Sequence, residues 1–264
     1  MATVLSGFDF NGSIGELSFY KLSGTGKVVV RRKGGPSKQT VRKSKNFENT
    51  RRNNAEFGGR AKMSRWIMQS FWPLKAVADY NIAGPINSMI SPVQRQEAGE
   101  WGKRPIRLSK SPETLSGFSL NRERIFETIL RTPVEVTLSK ESCSAELKLP
   151  AIKPGINFHP NNRYPFYSFE ITLGVVPDLH LVRGVYQPVS SQWTAKFCSS
   201  VKTAWVPVNE ATTESIHAIS LEGMEQLTDF TLIVAIGIRF GTPSVKNEID
   251  QVRHAGSAKV LKAI

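Results

Sequence analysis

The side chains that could carry chemistry are scattered, apart from one dense run of cations. Lys27, Arg31, Arg32, Lys33, Lys38, Arg42, Lys43, Lys45, Arg51 and Arg52 place ten positive charges within 26 residues. Guanidinium and ammonium groups at that density can neutralise several phosphates and release their counterions, which is the chemistry of salt-sensitive DNA or RNA binding. No element with a base-reading signature lies nearby. The same cations could therefore dock on an acidic surface of a neighbouring subunit, or form a solvated basic face.

Other constellations fall short of a reaction. A phosphate-binding loop needs Gly, four residues, then Gly-Lys-Ser/Thr opening a helix. Gly24-Thr25-Gly26-Lys27 has Lys21 where the first glycine belongs and Val28 after the lysine, so it reads as a hairpin turn. His159, His180, His217 and His254 are far apart, with no Cys or carboxylate at metal-ligand spacing. Cys143 and Cys198 fall on expected strands and read as reduced and packed. Glu123 and Glu127 are four apart on a possible helix over 122–130, and Glu170 and Asp178 stand alone. General acid–base work needs a buried or charge-coupled carboxylate, and no spacing here implies one. No catalytic residue, metal or cofactor is expected, and the protein reads as non-enzymatic.

Arg60, Lys62 and Arg65 lie among Trp66, Phe71 and Trp72. Aromatics beside cations can stack bases. The spacing also fits the buried side of a helix, with Phe57, Ala61, Ile67 and Met68 extending it, and this core reading is preferred.

Charge is segregated. The chain of 264 residues has 35 Lys and Arg against 22 Asp and Glu, a net +13. Residues 1–112 hold 20 basic and 7 acidic residues, whereas residues 113–264 hold 15 of each. The whole excess therefore sits in the first part, which points to a neutral body carrying a basic module. No run of about 18 apolar residues suggests a membrane span. The start lacks the basic and apolar blocks of a signal peptide, so a cytoplasmic setting is expected, with incorporation into a particle an option. Two cysteines are too few for a disulfide framework.

The elements that must position these residues follow from periodicity. Residues 134–138 and 143–149 alternate apolar and polar, the latter with Ala145, Leu147 and Leu149 on one face. Residues 164–176, 180–186, 203–208 and 215–221 are further strand candidates. Residues 230–240 form a near-continuous apolar run, expected of a central strand covered on both faces. Residues 258–264 could add a last strand. Turn signals separate these runs at Lys153-Pro154-Gly155, Pro160-Asn161-Asn162, Pro177-Asp178 and Gly241-Thr242-Pro243.

Upstream, residues 16–20 and 27–31 flank Ser23-Gly24-Thr25-Gly26 as a hairpin. Residues 32–45 are basic and poor in apolar side chains, so they are expected to be extended or mobile. A helix follows from Phe47, weakened at Gly58-Gly59 and ended or kinked at Pro73. Residues 74–94 read as a second helix interrupted near Gly84-Pro85, and residues 96–112 as a polar connector.

Three stretches carry a resemblance. They are Gly12-Ser13-Ile14-Gly15-Glu16-Leu17-Ser18-Phe19-Tyr20, Val30-Arg31-Arg32-Lys33-Gly34-Gly35, and Phe47-Glu48-Asn49-Thr50-Arg51-Arg52-Asn53-Asn54-Ala55-Glu56-Phe57. Together they resemble an uncharacterised family from the Bacteroidetes that begins with a Gly-x-Ile/Val-Gly hairpin, a basic stretch and a helix carrying Thr-Arg. Residues 232–240 look like the last strong strand of that family. The resemblance implies no activity and no cofactor; its layout has the look of phage or mobile-element structural proteins.

The expectation is a mainly β (α+β) fold. An Ig-like antiparallel β-sandwich over residues 113–264 follows a hairpin, basic segment and two helices over residues 1–112. Trp66, Ile67, Phe71, Trp72, Leu74, Val77 and Tyr80 require burial, so the helices should pack on the sandwich or on a neighbour. The expected function is structural or assembly-related, with the ten cations contacting a polyanion or an acidic partner surface and sheet edges making homo-oligomer contacts. The alternatives are a DNA- or RNA-binding protein that contacts mainly phosphates, and a carbohydrate- or ligand-binding module using Tyr164, Phe166, Tyr167 and Trp193.

Overall fold

A computed structural model describes residues 11–22, 25–160, 163–190, 193, 197–224, 227–244 and 248–264, and the backbone of residues 2–4. Strand accounts for 36% and helix for 26%, and the sheets are antiparallel, so the fold is a β-rich α+β one. The chain forms two compact units, Met1–Arg51 and Arg52–Ile264. No described helix is long and apolar enough to cross a membrane.

The first unit is built on strands β1 (Ala2–Val4), β2 (Gly12–Ile14), β3 (Leu17–Lys21) and β4 (Val28–Arg32), in the order β1-β4-β3-β2. The expected hairpin is the β3–β4 pair, with Tyr20 opposite Val29. A second, tighter hairpin joins β2 to β3 through Gly15-Glu16, with Gly15 at φ +52. Positive φ at the first central residue is what a primed hairpin turn demands. Of the Ser23-Gly24-Thr25-Gly26 loop, Ser23 and Gly24 lie outside the described residues, as do Asn161 and Asn162 of the later turn.

Residues 32–45 are not extended throughout. Helix α1 spans Lys38–Lys43. Ser37 caps it by accepting a hydrogen bond from Thr40 N–H at 3.0 Å, and Arg42 and Lys43 sit in its last turn, where the helix dipole favours cations. Low apolar content points to an extended or mobile segment, but a cap and a dipole match can organise a short helix without a buried face.

Helix α2 (Glu48–Ser70) starts in the last residues of the first unit and continues in the second, where a 3-10 turn (Trp72–Val77) and helix α3 (Ala83–Gln96) follow. The short helix α4 (Phe126–Ile129) is all that forms of the helix expected over 122–130. The strands are β5 (Glu135–Ser139), β6 (Ser144–Leu149), β7 (Phe166–Pro177), β8 (His180–Val182), β9 (Val185–Gln187), β10 (Cys198–Lys202), β11 (Val206–Pro207), β12 (Ser215–Ser220), β13 (Phe230–Pro243), β14 (Ile249–Gln251) and β15 (Ser257–Ala263). A six-stranded sheet runs β10-β7-β13-β14, with β11 also on β7 and β15 also on β13. A three-stranded sheet runs β12-β6-β5, and β8–β9 form a separate hairpin.

Strands β7 and β13 are covered on both faces. Phe169, Ile171, Leu173 and Val175, with Leu232, Val234, Ile236 and Ile238, pack with Ala145, Leu147, Leu149 and Ile219 of the smaller sheet. The opposite face, with Val176, Ile233, Ala235, Ala258 and Val260, packs with Met63, Ile67, Phe71, Leu74, Ile86 and Ile90. The result is helices, large sheet, small sheet, in three layers. Helices α2 and α3 thus belong to the same core as the strands.

The helices depart from the sequence reading in four places. The buried face of α2 is Glu56, Gly59, Met63, Ser64, Ile67 and Ser70, whereas Phe57 is 58% exposed and Ala61 is exposed. Apolar spacing misplaces this stripe because four of its six members, Glu56, Gly59, Ser64 and Ser70, have no apolar side chain. Gly58-Gly59 does not interrupt α2. A Cβ on Gly59 would stand 2.8 Å from the Tyr186 ring, so the glycine permits close contact, while Gly58 has nothing within 4 Å. Gly84-Pro85 does not break a helix either. It lies in the first turn of α3, where proline lacks only an N–H that would be unpaired anyway. Trp72 is 55% exposed, because α2 ends before Pro73 and the 3-10 turn buries Leu74 and Val77 instead.

One strand also outruns its expected end. Gly241-Thr242-Pro243 continues β13 and pairs with Gln251, Asp250 and Ile249. A Cβ on Gly241 would meet Ile249 at 2.5 Å, so its glycine serves strand approach rather than a turn.

The adjacent glycines give opposite expectations. Gly58→Ala should raise stability by about 1 kcal/mol through helix propensity. Gly59→Ala should lower it by about 1–3 kcal/mol through overpacking against Tyr186. Denaturant midpoints of the two variants check this, and equal shifts would refute the packing role.

Candidate functional site

The ten cations singled out by the sequence are not equivalent. Lys27, Arg31, Arg32, Lys33, Lys38, Arg42, Lys43 and Lys45 are exposed. Arg32 is paired with Glu16, at 2.8 Å from its Nε, and Arg31 lies 5.6 Å from the Tyr20 ring centroid. Lys27, Lys33, Lys38, Arg42, Lys43 and Lys45 form no ion pair with any described residue. Lys38 and Arg42, four apart, share one face of α1.

Arg51 is different. Its Nη1 donates to the carbonyls of Val41 at 2.8 Å and Ser44 at 2.7 Å, closing the end of α1. It braces the segment rather than offering a free charge. Arg52, in the second unit, stands 3.6 Å from Glu100 and 5.8 Å from the Trp101 ring centroid.

The remaining reactive types are engaged locally. Among the described residues no group of three or more His, Cys, Asp or Glu could hold a metal. His217 bonds Ser215 at 3.0 Å, and His254 Nδ1 lies 2.6 Å from the Ala78 carbonyl. Cys143 is buried and Cys198 half-buried, both free thiols; burial pushes the Cys198 thiol up to about 11. A thiol so raised is a poor nucleophile near neutrality. Glu127 pairs with Lys259, and buried Glu170 lies 3.6 Å from both Lys202 and Arg239. Burial raises the Asp178 carboxyl, against the hydrogen bonds it accepts from Ser109 N–H and Oγ. The aromatic group Tyr164, Phe166, Tyr167 and Trp193 does not form an open platform. Tyr167 and Trp193 are core residues, with Tyr167 4.4 Å from Phe158 and Trp193 5.6 Å from Phe197, centroid to centroid.

A buried polar cluster lies behind α2. Glu56 accepts from Arg104 Nε at 2.7 Å and Nη2 at 2.8 Å, and from Gly102 N–H at 2.9 Å. Gln94 Nε2 reaches the Arg104 carbonyl and the Tyr186 hydroxyl, and Arg60 bonds Gln94 Oε1 at 2.9 Å. Burial alone would push the Glu56 carboxyl up, but the Arg104 guanidinium and the Gly102 N–H outweigh it and hold it below the usual value. The residues 96–112, read as a polar connector, thus supply the partner of a buried carboxylate and also bury Ile106 and Leu108.

Sequence reasoning missed a cavity of about 420 Å³ where α2, the 3-10 turn and the start of α3 meet. Arg65, Phe71, Trp72, Lys75, Tyr80 and Ile82 contribute to its walls. The readable signal was Trp72-Pro73 followed by Lys75: proline ends α2, and the turn throws the tryptophan outward beside the lysine.

The fold and these geometries define a β-rich α+β protein with an exposed basic segment. No family model, no curated protein and no solved structure matches the chain.

The depressed Glu56 carboxyl sets a pH dependence. Its contribution to stability is present above about pH 4.5 and is lost as the pH falls through the lower folded value. Glu56→Ala should cost about 3 kcal/mol at neutral pH, the low end for breaking a buried pair because Arg104 touches solvent. It should also flatten the acid loss of stability. Urea denaturation at pH 7 and at acid pH checks both, and an unchanged acid limb would exclude Glu56 as its source.

Proposed function

We propose that this is a non-enzymatic structural or assembly protein whose cations in residues 27–45 contact a polyanion. The observation that carries the reading is the set of six exposed cations, Lys27, Lys33, Lys38, Arg42, Lys43 and Lys45, with no carboxylate partner among the described residues. Charges left unpaired on a strand end, a connecting loop and a helix repel one another. A bound anionic surface relieves that repulsion. Nucleic acid is the favoured polyanion, because phosphates at regular spacing suit cations spread over a strand end, a loop and a helix better than a patch of carboxylates does. An acidic partner surface is the second reading.

Within this proposal the two sheets of the second unit form an Ig-like core, and the protein works in a particle of phage or mobile-element type. The open sheet edges, β2 in the first unit and β5 and β12 in the second, offer strand addition between copies.

Salt dependence tests the polyanion contact. Affinity for DNA or RNA should fall steeply with salt, and neutralising all six cations to Gln should reduce the log–log slope by roughly one per cation engaged. Fluorescence anisotropy with a labelled duplex and a labelled single strand reads both. A slope unchanged by the six substitutions would exclude this segment as the contact.

A further inference from the structure

The cavity in the second unit combines aromatic surface, positive charge and unused amide groups. Trp72 lines the cavity and is 55% exposed, and the Lys75 ammonium lies over one face of its ring, 4.4 Å from the centroid. Arg65 is a second cation in the wall, and no carboxylate lines the cavity. Asp79, the nearest acid in sequence, is turned to the backbone N–H groups of Arg122 and Glu123 at 2.9–3.1 Å. The Tyr80 hydroxyl donates to the Ser119 carbonyl, and Arg122 lies 4.3 Å from the Tyr80 ring centroid.

Two residues with side-chain amides, Gln69 and Asn81, also line this space. Asn81 uses its Oδ1 to accept from Ala83 N–H at 3.1 Å, which leaves its N–H groups without a partner among the described residues. Gln69 has no hydrogen bond to any described residue. The edge of a nucleobase offers donors and acceptors to both amides, which a saturated acyl chain does not. At about 420 Å³ the cavity falls within the range of small-molecule sites.

We propose that this cavity binds a nucleoside phosphate, with the base against Trp72, its edge toward Gln69 and Asn81, and the phosphate on Arg65 and Lys75. The site lies wholly within the second unit and does not depend on the cations of residues 27–45. The ligand is a nucleotide either free or as one residue of a single strand.

Calorimetric titration of the full chain with AMP, adenosine and ribose 5-phosphate tests the claim. AMP should bind at least tenfold more tightly than either half, since ring and phosphate are both engaged. Adenosine or ribose 5-phosphate binding as tightly as AMP, or no AMP binding, would overturn it. Trp72→Ala should weaken AMP about 5- to 100-fold, the range that base stacking supplies. Lys75→Gln should weaken AMP but not adenosine. Both residues are exposed, and unchanged thermal unfolding of the variants keeps loss of binding separate from loss of fold.

The chain with the six first-unit cations changed to Gln separates this site from the polyanion contact. It should bind AMP as the parent chain does, and lost AMP binding there would overturn the assignment. Titrating that variant with dTMP and with a ten-residue oligodeoxythymidylate distinguishes the sources. Tighter oligonucleotide binding indicates a strand, and equal binding a free nucleotide.

Discussion

The β7–β13 pairing is the constraint on which the second unit depends. The two strands pair through twelve positions, from Phe166 opposite Gly241 to Pro177 opposite Phe230. Side chains alternate between faces, so each face must find its own apolar cover. The smaller sheet supplies one cover and helices α2 and α3 the other. Each fully buried aliphatic side chain is worth about 1.5–3 kcal/mol, so neither face of this ribbon can stay wet. The helical cover comes close because two glycines interrupt the side chains beneath it. A Cβ on Gly174 would lie 2.3 Å from the Ser70 carbonyl oxygen, and one on Gly237 would lie 2.7 Å from Leu74.

That close approach sets the chemistry of the neighbouring surface. With Ser70 and Leu74 held down on the sheet, the chain between them turns at Pro73, and Trp72 is left outside. The cavity between the end of α2 and the start of α3 follows from the same turn. Further along α2, burying Glu56 requires a cation, and Arg104 supplies it. Several basic residues of the second unit are committed in this way: Arg104 to Glu56, Arg107 to Glu97, Arg239 beside Glu170 and Lys259 to Glu127. In the first unit Arg32 pairs with Glu16, whereas Lys27, Lys33, Lys38, Arg42, Lys43 and Lys45 have no carboxylate partner among the described residues.

Much of the β architecture was legible because strand patterning is local. Ala145, Leu147 and Leu149 announced one buried face, and the apolar run from Phe230 announced a strand covered twice. The hairpin of β3 and β4 was legible for the same reason. The face of α2 was not, because Glu56, Gly59 and Ser70 carry no apolar signal, and their burial depends on Arg104, Tyr186 and Gly174, which lie far away in sequence. Helix α1 escaped notice because its stability comes from Ser37 at one end and Arg51 at the other.

By itself, the sequence determined where charge accumulates and which segments alternate as strands. Those properties are written in composition and short-range spacing. Only the tertiary structure decided which cations remain free, which glycines are points of contact and which aromatics face solvent. Each of these depends on a partner distant in the chain. Trp72 and Trp193 are the same residue type, yet one stands beside a cavity and the other in the core, because packing against β7 and β13 assigns them different neighbours.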